Sequence, residues 1–120
     1  MGRKETGALG EKIALNYLKK HGYRIIETNF RCRMGEIDIV TRKNDTLVFV
    51  EVRTKRDISF GIPEESITPL KANHLARTAY HYRQSHNKLP ESWRIDLLAI
   101  ELNDDDKPSR INLIENAIEG

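Results

Sequence analysis

Acidic and basic residues interrupt two runs that otherwise have the composition of β-strands. In the first run, EIDIVT, Glu36 and Asp38 lie two residues apart and therefore project from one face of a strand. In the second run, TLVFVEVRT, Glu51 and Arg53 share a face with the following Lys55. Buried strands are normally almost continuous in apolar residues, so charges at their centres indicate a site.

The chemistry expected of such a site is metal-assisted attack on a phosphodiester. Clustered carboxylates repel one another, and a divalent cation that prefers hard oxygen ligands, Mg²⁺ or Mn²⁺, relieves the repulsion. The metal would activate water, while neighbouring lysine and arginine side chains hold the phosphate or stabilise the transition state. The alternative interpretation is a cross-strand salt-bridge patch.

Pairing of the two runs would bring these charges together. The polar residues 42–45 between them predict a β-hairpin with strands over 36–41 and 46–54. If the numbers of paired residues sum to an odd value, both strands present their charged positions to one face. The opposite face then carries one apolar layer, composed of Ile37, Ile39, Val48, Val50 and Val52.

The elements that must position this hairpin are predicted from periodicity and capping signals. Helices are predicted over 6–20 and from Pro69, with Thr68 as N-cap, to about His86. Strands are predicted over 23–30, 93–100 and, at the edge, 111–114, with a loop over 57–66. The order α-β-β-β-α-β-β predicts one α/β domain over residues 1–120: a mixed sheet flanked by helices, with an acidic C-terminal tail from about residue 101.

Composition excludes several classes of protein. Hydrophobic residues make up 38% and charged residues 32%, which fits an ordered globular domain. The single cysteine, Cys32, excludes an intramolecular disulfide and a cysteine-based zinc site. The sequence contains no apolar run near the roughly 18 residues of a membrane span, and its start lacks the apolar core of a secretory signal. We therefore expect a cytoplasmic protein without a membrane partner.

Charge is distributed unevenly along the chain. Residues 1–100 carry 18 Lys and Arg against 12 Asp and Glu, whereas residues 101–120 carry 2 against 6. A basic body suits a polyanionic partner, because Lys and Arg displace counterions from phosphates, although such an excess is also common on soluble surfaces. Nucleic acid is the partner that this balance suits, and an ordinary soluble surface is the alternative.

The string Gly35-Glu36-Ile37-Asp38, followed by Glu51-Val52-Arg53, resembles the PD-(D/E)xK nuclease superfamily. More narrowly, the chain resembles the YraN-like family of small bacterial proteins, which are similar to archaeal Holliday-junction resolvases. The segments that carry this likeness are Gly10-Glu11, Gly22-Tyr23, Asn29-Phe30-Arg31, GEIDIV at 35–40, FVEVRTK at 49–55, Phe60-Gly61-Ile62-Pro63, Lys71 and Arg94-Ile95-Asp96.

The resemblance implies a restriction-endonuclease-like core and an endonuclease that acts on DNA, including branched DNA. It implies that Asp38 and Glu51 bind Mg²⁺ or Mn²⁺, with Glu11 reaching in from the first helix as an additional acid. Glu11 otherwise sits unusually within the apolar arc of that helix. A resolvase needs two active sites to cut a junction symmetrically, so a twofold homodimer is implied as well.

One position departs from the superfamily pattern, which has lysine where this chain has Arg53. Arginine binds phosphate but does not give up a proton, so it cannot act as a base. Lys55 and Lys71 are the two substitutes, and we expect Lys71 to supply the ammonium because a buried lysine on a core-facing stripe needs an anionic partner. Alternatively, its stem packs while its amine reaches solvent. Two further functions stay open: a non-catalytic nucleic-acid-binding module and a scaffold domain.

Other reactive residues receive no catalytic role. His74 and His81 share a helical face, but a soft-metal site needs a third ligand, so we assign both to the surface, with a phosphate contact as the alternative. Asp96, next to Arg94 in a predicted strand, is interpreted as half of a buried ion pair rather than a further acid of the site.

Overall fold

A computed structural model describes residues 2–119, and its elements follow the order α-β-β-β-α-β-β that the sequence predicts. The helices are α1 (Arg3–Lys20) and α2 (Pro69–Ser85), and a short 3-10 turn covers Pro63–Ser66. The strands are β1 (Arg24–Cys32), β2 (Gly35–Lys43), β3 (Thr46–Lys55), β4 (Ser92–Leu102) and β5 (Pro108–Ile118). In the described range, no helix is both long and apolar enough to cross a membrane.

The strands form one mixed sheet in the order β1-β2-β3-β4-β5. The pairs β1–β2, β2–β3 and β4–β5 are antiparallel, whereas β3 and β4 run parallel. A parallel pair requires a long crossover connection, which α2 provides. Thr68 begins that helix as predicted, because its side chain accepts a hydrogen bond from the Lys71 backbone N–H at 3.2 Å.

Each helix covers a different face of the sheet. On the α1 side, the buried cluster comprises Ala14, Leu18, Tyr23, Ile39, Val48, Val50, Leu98, Ile100 and Leu102. On the α2 side, it comprises Ile37, Val40, Leu47, Phe49, Leu75, Ala79, Tyr82, Ile95 and Ile118. The alternation along β3 divides its side chains between the two helices, as expected for a strand buried on both faces.

The β2–β3 register has odd sums, as predicted, but the predicted single apolar layer is wrong at Ile37. Pairing of the two strands runs from Ile39 opposite Val50 to Lys43 opposite Thr46. Ile39 packs on the α1 side, whereas Ile37 packs on the α2 side. The strict alternation fails between them, beside Asn29 of β1, which has a left-handed φ of 55° and lies between the residues that pair with Ile39 and Ile37. Because of this break, Ile37 and Ile39 lie on opposite faces of the sheet although they are two residues apart.

The C-terminal acidic segment is largely part of the sheet. The edge strand, predicted over 111–114, extends over Pro108–Ile118, and β4 continues to Leu102. The aspartates at 104–106 occupy the turn between these strands. The sequence of β5, PSRINLIENAI, does not alternate strictly between polar and apolar residues, although pairing with β4 satisfies its backbone groups.

Candidate active site

Asp38 and Glu51 form a carboxyl pair where β2 separates from β3. The Val52 backbone N–H donates to Asp38 Oδ2 at 2.8 Å, which fixes one oxygen of that carboxylate. Glu51 is buried, with 7% of its surface exposed. Burial, followed by the charge and hydrogen bond of Asp38, raises the pKa of Glu51 to about 8, against the opposing effect of Arg53. Two acids this close share a proton or require a cation.

Arg53 supplies the positive charge beside this pair. Its Nη2 donates to Glu51 Oε2 at 2.6 Å. Its Nε atom is buried and has no hydrogen-bond partner within residues 2–119. Guanidinium groups bind phosphate oxygens, but this Nε atom is not open to solvent in the structure.

Two cavities meet at Asp38, one on each side of the sheet. The α1-side cavity has a volume of about 680 Å³ and the α2-side cavity about 390 Å³. The residues that line both are Glu36, Asp38, Val52 and Arg53. The break in alternation at Asp38 therefore places this residue within reach of groups from both helices.

Glu11 approaches from the α1 side. It lines the α1-side cavity with Asp38 and accepts a hydrogen bond from Asn29 Nδ2 at 2.9 Å. Burial raises the pKa of Glu11, Asn29 opposes the rise, and the charges of Asp38 and Glu36 add to it. Glu51 lines the α2-side cavity instead. The structure thus brings Glu11 to Asp38 and places Glu51 on the α2 side. The predicted single charged face is therefore wrong, because Glu51 lines the α2-side cavity and Lys55 the α1-side cavity.

Lys71 approaches from the α2 side. It lines the α2-side cavity with Asp38, Glu51 and Arg53. Its predicted burial is wrong, because the residue is exposed. Lys71 lies in the first turn of α2, before the helix reaches its first buried residue at Leu75. The ammonium can therefore face the acids without being removed from water.

The two auxiliary residues occupy the margin of the site. Glu36 is exposed and forms an ion pair with Arg31 Nε at 3.0 Å across β1 and β2. Lys55 lines the α1-side cavity and donates from Nζ to the Gly61 carbonyl at 3.3 Å. Glu36 thus pairs with Arg31 of β1, which lies outside the salt-bridge patch anticipated as the alternative to a site, whereas Glu51 pairs with Arg53 of its own strand.

Sequence reasoning missed two contributors. His74, assigned to the surface, is exposed but lines the α2-side cavity with Glu51. Its spacing of three residues from Lys71 was the available signal, since residues three apart share a helix face. Asn29 orients Glu11, and its left-handed backbone, which asparagine tolerates, could not be recognised from the strand pattern.

Asp96 has a structural role, as the sequence suggested. It is fully buried, and its carboxylate accepts hydrogen bonds from Arg94 Nε at 3.0 and 3.2 Å and from the Asn116 backbone N–H at 2.8 Å. Burial raises the pKa of Asp96, and both partners oppose the rise. The hydrogen bond from Asn116 to Asp96 joins β5 to β4.

The donor set at the carboxyl pair fits a hard divalent cation. Within the described part of the chain, no group of three or more His, Cys, Asp or Glu side chains is arranged to hold a metal. Mg²⁺, however, is commonly bound through one or two carboxylates, with water and substrate phosphate completing its shell. Asp38 and Glu51 supply those two carboxylates, and Glu51 would release a proton on binding.

Comparison with known proteins gives a consistent family assignment. The model of the uncharacterised protein family UPF0102 matches residues 10–100. A UPF0102 protein of Dehalococcoides mccartyi is 48% identical over 116 residues, covering 97% of this chain and 94% of the relative. A UPF0102 protein of Caldicellulosiruptor saccharolyticus is 42% identical over 117 residues, covering 98% and 99%. One of Geobacter sulfurreducens is 43% identical over 116 residues, covering 97% and 90%.

Proposed function

The chain belongs to the UPF0102 family, and we propose that it is a metal-dependent endonuclease that hydrolyses phosphodiester bonds in DNA. Family membership confirms the resemblance to YraN-like proteins. The observation that carries the proposed activity is the carboxyl pair of half-buried Asp38 and buried Glu51, with Arg53 beside it. Such a pair is most simply neutralised by a divalent cation.

The carboxyl pair would hold Mg²⁺ or Mn²⁺, and the ion, when bound, would activate water and neutralise charge on the phosphate. Asp38 presents one oxygen fixed by the Val52 N–H and leaves the other for coordination. Glu51 provides the second ligand after losing its proton. Glu11 is an additional acid on the α1 side of Asp38.

The cations supply phosphate binding and charge stabilisation. Arg53 is held by Glu51, and its remaining guanidinium donors would bind a phosphate. Lys71, on the α2 side, replaces the ammonium that the superfamily carries at the position of Arg53. Lys55 and Glu36 border the site, and their proposed role is auxiliary.

The proposed substrate is DNA, including branched DNA, encountered in the cytoplasm. A basic body from residue 1 to 100 favours such a polyanion. A twofold homodimer would place two sites on one junction. Sedimentation of the purified protein alone and with a four-way junction tests that arrangement.

The function is tested by cleavage of labelled four-way junction, flap, duplex and single-stranded DNA in Mg²⁺, Mn²⁺ or chelator. We expect metal-dependent products that disappear in Asp38→Ala. Asp45→Ala, which removes an exposed carboxylate in the hairpin turn, is the matched control and should cut normally. The absence of cutting of all four substrates by the wild-type protein would overturn the proposal.

A second function is a nucleic-acid-binding module without catalysis. The ion pair between Arg53 and Glu51 favours it, because the guanidinium can neutralise the Glu51 carboxylate without a metal. Salt-dependent binding that is unaffected by chelator, together with an absence of cleavage, would support this second function.

A further inference from the structure

Phe60 is the most exposed large hydrophobic residue of the described chain. Its exposed fraction is 95%, and it lies on the rim of the α1-side cavity. A single exposed apolar residue is common on protein surfaces and indicates little by itself. The surroundings of Phe60 give this one a specific chemical context.

The loop that carries the phenylalanine is held by internal hydrogen bonds. The Asp57 carboxylate accepts from the Ser59 N–H at 2.9 Å and from the Ser59 hydroxyl at 2.6 Å. The Gly61 N–H donates to the Ile58 carbonyl at 3.1 Å, and Lys55 Nζ donates to the Gly61 carbonyl. The aromatic ring is therefore presented to solvent by an ordered turn.

The far end of the loop is anchored to β5. The Ile62 N–H donates to Glu65 Oε1 at 3.0 Å at the start of the 3-10 turn. The neighbouring Glu64 receives two hydrogen bonds from Arg110, each of 2.6 Å, and one from Asn112 at 2.9 Å. These contacts fix the position of the loop relative to the sheet that carries the carboxyl pair.

Cationic side chains line the same cavity as the exposed ring. They are Arg3, Arg53, Lys55 and Arg56. They offset the carboxylates of Glu11, Glu36, Asp38 and Asp57, which also line it. Cations that follow a phosphate backbone, combined with an aromatic ring on which a base stacks, are the recurring elements of single-strand recognition.

We infer that Phe60 stacks on an unpaired base of a nucleic acid whose backbone lies in the α1-side cavity. The inference rests on the proposed function and narrows its substrate class to single-stranded DNA or junctions and flaps with unstacked bases. In a continuous duplex both faces of each base are covered by neighbours, so a ring presented by a surface loop finds no free face. Phe60 is thus a specificity-determining residue.

The test is fluorescence anisotropy in chelator with labelled single strand, four-way junction and duplex of matched sequence. In Phe60→Ala, affinity for single strand and junction should fall by about tenfold, within the range for losing one stacked base, while duplex affinity changes by less than about twofold. Phe60→Trp should retain wild-type affinity. The control is Tyr80→Ala, which removes another exposed aromatic residue, 60% exposed, from a separate groove between α2 and β5.

Equal loss on duplex, no loss on any substrate, or the same loss in Tyr80→Ala would overturn the inference. Melting temperatures of the variants establish that each is folded. Parallel cleavage reactions in Mn²⁺ separate this inference from the endonuclease proposal. If Phe60→Ala selectively loses binding but wild type cleaves no substrate, the stacking role is retained and the hydrolytic one is contradicted. If wild type binds no DNA at all, the stacking role is overturned.

Discussion

Glu51 combines burial with a neighbouring acid, and both features disfavour its charged form. In the folded protein its pKa is about 8, whereas its ordinary value is 4.5. A raised pKa means that the folded state retains a proton that the unfolded state releases. Stability from this group is therefore fully present below pH 4.5 and is lost as pH rises to about 8.

Glu51→Gln should remove this pH dependence, because glutamine imitates the protonated acid and can still accept from Arg53. Relative to wild type, the variant should gain about 2–5 kcal/mol of unfolding free energy between pH 4.5 and pH 8.5. Urea unfolding without divalent metal at these two pH values measures the change. If the difference in unfolding free energy between variant and wild type is the same at both pH values, the pKa of Glu51 is not raised by folding.

Asp96 illustrates a second kind of buried acid, one with a dedicated partner. Arg94→Leu should destabilise the protein by about 3–5 kcal/mol, since it leaves a buried carboxylate without its counterion. Adding Asp96→Asn should recover part of the loss. Chemical denaturation provides the measurement, and Arg42→Leu, which breaks an exposed ion pair with Asp45, should cost less than about 1 kcal/mol. Similar losses in the two arginine variants would contradict the assigned role.

At the scale of elements, the close approach of α1 to β3 positions Glu11. A Cβ atom added at Gly10 would lie 1.9 Å from Thr54 Oγ1, so only glycine permits this contact. The next residue of the helix is Glu11, which the contact holds at the α1-side cavity. Helix packing and the site are thus linked at adjacent positions.

Gly10→Ala should lower the free energy of unfolding by about 1–3 kcal/mol, because overpacking outweighs the helix preference of alanine. Gly7→Ala is the matched control in the same helix, with no atom within 4 Å of the added Cβ, and should stabilise by up to about 1 kcal/mol. Thermal and urea unfolding measure both. Stabilisation by both alanines would contradict the close packing of α1 against β3 at Gly10.

The sequence predicted the elements from local patterns and missed features that depend on neighbouring strands. Charges at the centres of two apolar runs predicted that Asp38 and Glu51 belong to one site, because strand periodicity and register are encoded locally. The placement of Ile37 instead follows a break in the alternation of β2, beside the left-handed Asn29 of the adjacent strand, that strand periodicity does not predict. The exposure of Lys71 depends on where α2 first contacts the sheet, which helical periodicity does not specify.

At the scale of the whole molecule, two helices on opposite faces of the sheet contribute side chains to one site, where the inner strands β2 and β3 separate. The α1 side provides Glu11 and the Phe60 loop, and the α2 side provides Lys71 and His74. The parallel β3–β4 pair and its crossover through α2 make this arrangement possible, because they place the second helix against the face that α1 leaves uncovered. A substrate phosphate bound there would be reached by side chains from both faces of the sheet.

The measurement that tests the central claim most directly is the single-turnover rate of DNA cleavage in Mn²⁺, compared among wild type, Asp38→Ala and Asp45→Ala. We predict that Asp38→Ala lowers the rate by at least about a hundredfold, since perturbing only the support of a metal ligand costs about 10- to 100-fold. Asp45→Ala should match wild type. Equal rates in all three proteins, or cleavage that persists in chelator, would contradict the assignment of the Asp38–Glu51 pair as a catalytic metal site.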